Sequence, residues 1–413
     1  MLTDPTTSTP TSPPTGADTG LERTLSLPLL VFYGLGVTVG AGIFALVGEI
    51  LGIAGDQAPL AFLLAGVIAG FTGISYMALV AQFPRAGGEA VYVNRGLGRQ
   101  AGRFAGLGVV ATGIISSAVV AQAFSGYVAT LVSVPKSLTA ALLVLLLTAV
   151  AWWGVRESVI VASVVTVLEV GTLIIVGLFG LPEIDRGVVQ DGFDLGGAGT
   201  AGAVLTGAGI AFFAFIGFED IANMAEETNN PRTTAPRAIR WTLSITLAAY
   251  VGLALVAAAL PDRAAIADSD APMAVIFEAV SGLDSGPVAT IAAFAMVNGI
   301  LVQIVMASRV LYGMANEGQL PPVLAVIDGR RRTPARATLF VGAAIIVLLL
   351  FPLVTLARAT SIVTLSVFTL VNVALVRLTR TIPELGHTRW LLNGVVGAIV
   401  SAGLGVWQIV ELF

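Results

Sequence analysis

The sequence predicts an all-α protein that crosses a membrane about eleven times. Three observations carry this reading. Of 413 residues, 56% are hydrophobic and only 11% charged, against roughly 25% charged in a soluble domain. So few charges cannot cover a water-facing surface, and lipid has to serve as part of the solvent. Uncharged or nearly uncharged stretches of the length that spans a bilayer, about 20 residues, recur along the chain. The stretches are bounded by arginines, prolines and acidic residues.

The spans follow in order. The first, about 25–48, is uncharged and has Gly40-Ala41-Gly42 at its middle. The second, 58–83, ends at Pro84-Arg85, and the third, 104–134, begins after Arg95, Arg99 and Arg103. The fourth, 137–155, lies between Lys136 and Arg156. The fifth, 158–181, holds a single charge, Glu169. The sixth, 200–224, contains Gly217 followed by Glu219-Asp220. The remaining spans are 241–260, 285–308, 337–354, 359–376 and 390–410. Residues 1–24 are rich in Thr, Ser, Pro, Gly and Asp, and such composition predicts a disordered cytoplasmic tail. The tail lacks the basic start and apolar core of a signal peptide. Residues 25–413 then form one transmembrane domain.

Basic residues set the expected orientation. With the N-terminus cytoplasmic, 17 of the 21 Lys and Arg fall inside, leaving Lys136, Arg186, Arg263 and Arg358 outside. The positive-inside rule selects this arrangement, and an odd span count puts the C-terminus outside. The acidic segments 182–194 and 261–270 are expected as external loops. The chain is expected in the plasma membrane.

Composition excludes several chemistries. There is no cysteine, one histidine (His387), and no basic patch interleaved with aromatics. Thiol chemistry, a His/Cys metal cluster and nucleic-acid binding therefore lack support. No nucleophile–base set is visible, so an enzyme is not expected. No organic cofactor or metal is expected either.

An internal repeat is hinted at. The third span is the longest, and the third and eighth are each third in a set of five. The first and sixth spans open these sets, and both carry glycines at mid-span. Glycine-interrupted helices at matching places in two halves point to a transporter binding site, although membrane glycines also serve close packing. An unwound segment inside a bilayer exposes backbone groups that must line a cavity or meet a ligand. Gly40 and Gly42 ease such a break, and the following half-helix offers free N–H groups to a carboxylate. In the sixth span Gly217 is the expected break, with Phe213, Phe215 and Phe218 lining a pocket or gate and one of the three facing lipid. Glu226-Glu227 with Asn230-Pro231-Arg232 reads as a capped cytoplasmic helix end. Ser116, Ser117 and Gln122 on the third span, and Asn298 and Gln303 on the eighth, are plausible supporting groups.

Four motifs in order carry a family resemblance. They are Gly40-Ala41-Gly42-Ile43-Phe44, Phe83-Pro84-Arg85-Ala86-Gly87-Gly88-Glu89, Phe215-Ile216-Gly217-Phe218-Glu219 with Ala225-Glu226-Glu227 and Asn230-Pro231-Arg232, and Ser308-Arg309-Val310-Leu311-Tyr312-Gly313-Met314. From about residue 27 to 335 the chain resembles permeases of the amino acid–polyamine–organocation superfamily. The resemblance implies a five-plus-five inverted repeat (LeuT-like): repeat one at about 25–181, repeat two at about 200–376, and an extra helix at about 390–410. It implies secondary active transport of amino acids, with discontinuous helices 1 and 6 holding the substrate. Gly40, Ala41, Gly42 and Ile43 would meet the carboxylate. Backbone around Phe213, Ala214 and Phe215, next to Gly217, would meet the ammonium. Many relatives have twelve helices, which leaves the oligomeric state open here. Some proton-coupled relatives match Glu157-Ser158 but place a lysine where this chain has Glu169.

A charge at helix centre costs roughly 2.5–3.5 kcal/mol on insertion scales. Glu169 is therefore expected to couple transport to a proton gradient, with Glu219 as second candidate. Structural glue is the other role open to Glu169. The expected activity is proton symport of neutral amino acids, ahead of sodium coupling. An exchanger and a cationic amino-acid or polyamine carrier remain alternatives. A non-transporting amino-acid sensor is expected to carry a soluble domain to relay its signal, and none is read here.

Overall fold

The computed structural model describes residues 24–84, 87–154, 159–328 and 333–411. Most of the expected tail, Arg85, Arg156, Glu157-Ser158, Arg330 to Arg332 and the last two residues lie outside them. The helices in order are α1 (Leu27–Thr38), α2 (Ala41–Ala54), α3 (Ala58–Gln82), α4 (Gly88–Leu97), α5 (Arg99–Leu131), α6 (Lys136–Trp153), α7 (Val159–Gly180), α8 (Arg186–Gly192) and α9 (Ala198–Ala211). Then come α10 (Asp220–Asn223), α11 (Pro231–Ala259), α12 (Arg263–Ala267), α13 (Pro272–Ser281), α14 (Gly286–Asn316), α15 (Ala335–Leu348), α16 (Leu353–Leu378) and α17 (Thr388–Val410).

Among the described residues, nine helical stretches are long and apolar enough to cross a membrane. One is the run Ala41–Gln82, which a 3-10 turn at Gly55–Gln57 divides into α2 and α3. The apolar helices α1, α13 and α15 are shorter. No strand occurs among the described residues, and the single β-bridge joins Leu25 to Thr228. The all-α membrane architecture is thus present, and the first and sixth expected spans are both interrupted.

Several helices run past the expected spans. α5 starts at Arg99 and α11 at Pro231, because backbone hydrogen bonding continues through arginine-rich turns that hydropathy excludes. Proline at the first or second position opens α1, α3, α11, α13 and α14, where its missing N–H would be unpaired anyway. The segments expected as external loops contain α8 and α12. The expected capped end at Asn230 differs. Asn230 is left-handed (φ 48°) and its side chain makes no cap bond. Instead the Glu227 carbonyl accepts the N–H groups of Thr24 (2.9 Å) and Leu25 (3.0 Å), and the Asn229 N–H donates to the Leu25 carbonyl (2.9 Å).

The core is assembled from the broken helices and their neighbours. α3 packs along α11, α5 along α14 and α16, and α16 along α17. A buried polar cluster fixes the last helix. Asn372 of α16 accepts from Ser75 Oγ (2.6 Å) and donates to Thr72 Oγ1 (2.9 Å). Asn393 of α17 donates to Ser75 Oγ and to the Phe71 carbonyl, each at 2.9 Å. At the far end of α17, Gln408 is fully buried and donates to the Thr206 carbonyl of α9.

Candidate functional site

Two helix breaks meet at the centre of the molecule. α1 ends at Thr38, the Val39 N–H closes its last turn on the Leu35 carbonyl (2.7 Å), and α2 begins at Ala41. The start of α2 has no side-chain cap and no acidic residue in its first turn. Its N–H groups therefore form a partial positive charge inside the protein. In the other break, α9 runs into a 3-10 turn at Phe212–Phe215, Ile216 is extended, and the chain re-enters a helix at Asp220. Gly217 has φ of +123°, and a Cβ there would stand 2.8 Å from the Val37 carbonyl oxygen. Both facts demand glycine.

The breaks touch. A Cβ on Gly42 would lie 2.7 Å from Ala214 Cα and 3.4 Å from Phe213 Cδ1. The Tyr250 hydroxyl of α11 reaches the Thr38 carbonyl at 2.9 Å and the Ala214 carbonyl at 3.0 Å. One phenol hydrogen is thus shared between an end carbonyl of each broken helix. Tyr127 of α5 acts similarly farther along α2: its hydroxyl donates to the Phe44 carbonyl (2.7 Å) and accepts the Met273 N–H (3.2 Å). Phe213, Phe215 and Phe218 are all buried, which corrects the expectation that one faces lipid. Phe215 packs edge-on against Tyr250, and Phe218 against Tyr76.

Glu169 projects from α7 towards the first break. It is 2% exposed. Its Oε1 lies 3.7 Å from the Cβ position of Gly40, and its Oε2 finds no hydrogen-bond partner among the described residues. Thr166, one turn earlier, fills the space over Gly36. Glu219 belongs to a different place. Its Oε2 accepts the Gly217 N–H (2.8 Å), and with Glu89, Asp220, Thr112, Gln303 and Phe368 it lines a cleft beside Ile216. Glu89, on α4 outside the spanning helices, accepts the Tyr76 hydroxyl at 2.9 Å. Burial pushes the Glu89 carboxyl up to about 7, with Asp220 adding to the rise and the Tyr76 bond opposing it.

Of the expected supporting groups, Gln303 reaches this cleft. Ser116 and Ser117 bond to the Gly113 carbonyl of their own helix, and Gln122 donates to the Phe351 carbonyl. Tyr250, Tyr127 and Glu89 are functional candidates that the sequence reading did not single out as site residues. Tyr250 had one signal: it is the lone tyrosine in an apolar span, and a buried phenol requires a partner. Among the described residues no three His, Asp or Glu side chains are placed to hold a metal ion.

Comparison with known proteins decides the family. The amino acid permease family model matches residues 25–411. The chain belongs to the amino acid permease family. It is 36% identical over 330 residues to an uncharacterised transporter of Mycobacterium tuberculosis, covering 79% of this chain and 73% of that one. It is 26% identical to a branched-chain amino acid permease of Bacillus subtilis, covering 88% and 83%. It is 28% identical to a mitochondrial cationic amino acid transporter of Arabidopsis thaliana, covering 88% and 63%. This permease is thus a multi-pass membrane transporter of the amino-acid class, and not an enzyme.

Proposed function

We propose that this permease carries neutral amino acids into the cell by alternating access in symport with a proton. The expected frame is eleven spans in a five-plus-five inverted repeat with one extra helix, in the plasma membrane. The basic-residue asymmetry supports a cytoplasmic N-terminus. The uncapped start of α2, at Gly40 to Ile43, offers N–H groups to the substrate carboxylate. Carbonyls of the Phe213–Phe215 turn beside Gly217 face the ammonium. The two breaks are in contact in this structure, so substrate entry requires them to part.

The observation that carries the coupling reading is the position of Glu169: buried, unpaired at Oε2 and directed at Gly40 of the break. An ionisable side chain inside a membrane span is costly and marks a functional position, and this one is aimed at the break that would hold substrate. Glu219, hydrogen-bonded to Gly217, is the second coupling candidate. The test is labelled leucine uptake into proteoliposomes with and without an inward proton gradient. Wild type should accumulate substrate only with the gradient. Glu169→Gln should bind and exchange substrate but lose accumulation. Full gradient-driven accumulation by Glu169→Gln removes this residue from the coupling step.

A second reading has its own observation. The cleft beside Ile216 holds Glu89, Glu219 and Asp220 and no basic side chain, which suits a cationic amino acid. Arginine displacing labelled leucine at lower concentration than unlabelled leucine would favour it.

A further inference from the structure

One corner of the molecule concentrates arginines without internal counter-charge. Arg95 lies in the last turn of α4, Arg99 and Arg103 occupy the first two turns of α5, and Arg377 and Arg380 stand at the end of α16. All five are exposed. Among the described residues none of them has an ion pair or hydrogen bond, although Arg95 lies over the Phe83 ring at 5.9 Å.

Packing brings them together. α4, α5 and α16 contact one another pairwise. A Cβ on Gly96 would meet Ala374 Cα at 2.8 Å, and one on Gly102 would meet Asn94 Cβ at 2.7 Å. Arg95 thus adjoins α16 one turn before Arg377, and Arg103 follows the α5 residue that touches α4. Arg99 and Arg103 are spaced i, i+4 on one helix face, where like charges repel. The first turn of α5 has no acidic residue. The exposed Glu384, four residues beyond Arg380, makes no ion pair with it.

The same turn carries an apolar handle. Phe104, next to Arg103, is 71% exposed. α5 has 33 residues and is therefore about 50 Å long, against about 30 Å of hydrocarbon. Its first turns reach the headgroup level. A site that joins several guanidinium groups to an exposed phenylalanine at that depth fits an amphiphile with an anionic head. Guanidinium groups bind phosphate oxygens in pairs.

We propose that the corner formed by Arg95, Arg99, Arg103, Arg377 and Arg380 binds the phosphodiester headgroup of an anionic phospholipid, with Phe104 against its acyl chain. The site is independent of the transport reading above.

The test uses the purified full chain in a neutral detergent. Melting temperature and lipid retention in native mass spectrometry are followed with phosphatidylglycerol, with phosphatidylcholine of the same chains, and with glycerophosphoglycerol as the soluble headgroup. Wild type should be stabilised and occupied by phosphatidylglycerol and by neither other probe. R99Q/R103Q should bind it more weakly, about fivefold for each arginine removed. R99K/R103K, which keeps the charge but loses the paired guanidinium contact, should fall between wild type and R99Q/R103Q. R377Q/R380Q approaches the same corner from α16 and should weaken it as well, so the result does not depend on one variant folding. Equal binding of the two lipids by wild type overturns the proposal. So does an undiminished phosphatidylglycerol preference in both glutamine variants. Equal stabilisation by glycerophosphoglycerol would mark a site for a free phosphodiester and overturn the lipid assignment.

Discussion

Tyr250 and Glu89 show how much single side chains decide here. The Tyr250 hydroxyl bonds to carbonyls of both broken helices. Removing it in Tyr250→Phe leaves both carbonyls without that partner. The expected cost is about 1–2 kcal/mol of stability, read as a lower melting temperature together with weaker substrate binding. An unchanged melt and affinity would mean that the carbonyls find other donors. Glu89 has a value of about 7 in the folded protein against 4.5 for the free side chain. Below 4.5 the folded and unfolded chains both hold the proton. As pH rises to about 7 the unfolded chain releases it first, so folded stability falls, and above 7 the loss levels off. The size is on the order of 3 kcal/mol. Glu89→Gln should therefore lose less stability than wild type between pH 5 and pH 8 in thermal melts, and parallel curves would refute this. At this scale the sequence was partly legible. Gly217 and Glu169 stood out because glycine at a break and a lone charge in an apolar span are local signals. Tyr250 and Glu89 gain their meaning from partners far along the chain, which no local pattern reveals. The facing of Phe213, Phe215 and Phe218 was misread for the same reason: inside a bundle all faces of a helix are apolar.

Helices in this permease are placed by small residues and fixed by a few polar contacts. Asn372 bonds to Ser75, Thr72 and the Phe368 carbonyl, and a Cβ on Gly397 of α17 would meet Asn372 Oδ1 at 2.5 Å. Asn372→Leu removes the acceptor of the Ser75 hydroxyl at 2.6 Å and the donor to Thr72 at 2.9 Å, and presses a branched side chain against Gly397. Amide hydrogen exchange should then rise along α17 and the melting temperature should fall. Exchange confined to α16 would show that α17 is held by its other contacts. Element positions followed hydropathy closely, but element ends did not. A hydropathy window closes where lipid ends, whereas a helix closes where its hydrogen bonds run out. This is why α5 and α11 begin in arginine-rich turns, and why α8, α12 and α13 were not foreseen.

At the scale of the whole molecule, the two ion pairs among the described residues share one end. Lys136 pairs with Asp270, and Arg263 with Asp56. Both tie the α12–α13 segment across the ends of α2 and α6. The segment fits closely, since a Cβ on Gly48 would stand 2.5 Å from the Ile266 carbonyl oxygen and one on Gly126 at the same distance from that of Asp270. Each pair is about half exposed and so is worth about 0–1 kcal/mol. The chain has no native cysteine, so Lys136→Cys with Asp270→Cys gives one defined crosslink. Uptake should stop on bridging the pair with a short thiol crosslinker and return when a cleavable linker is cut. Uninterrupted uptake by the bridged protein would show that this end stays closed throughout transport. At the opposite end, the backbone bonds between Thr24-Leu25 and Glu227–Asn229 have a mechanical consequence. They tie the chain just before α1 to the segment after α10 through main-chain groups alone, a link that no side-chain truncation removes. A spectroscopic label on one then reports any displacement of the other for as long as the bonds hold.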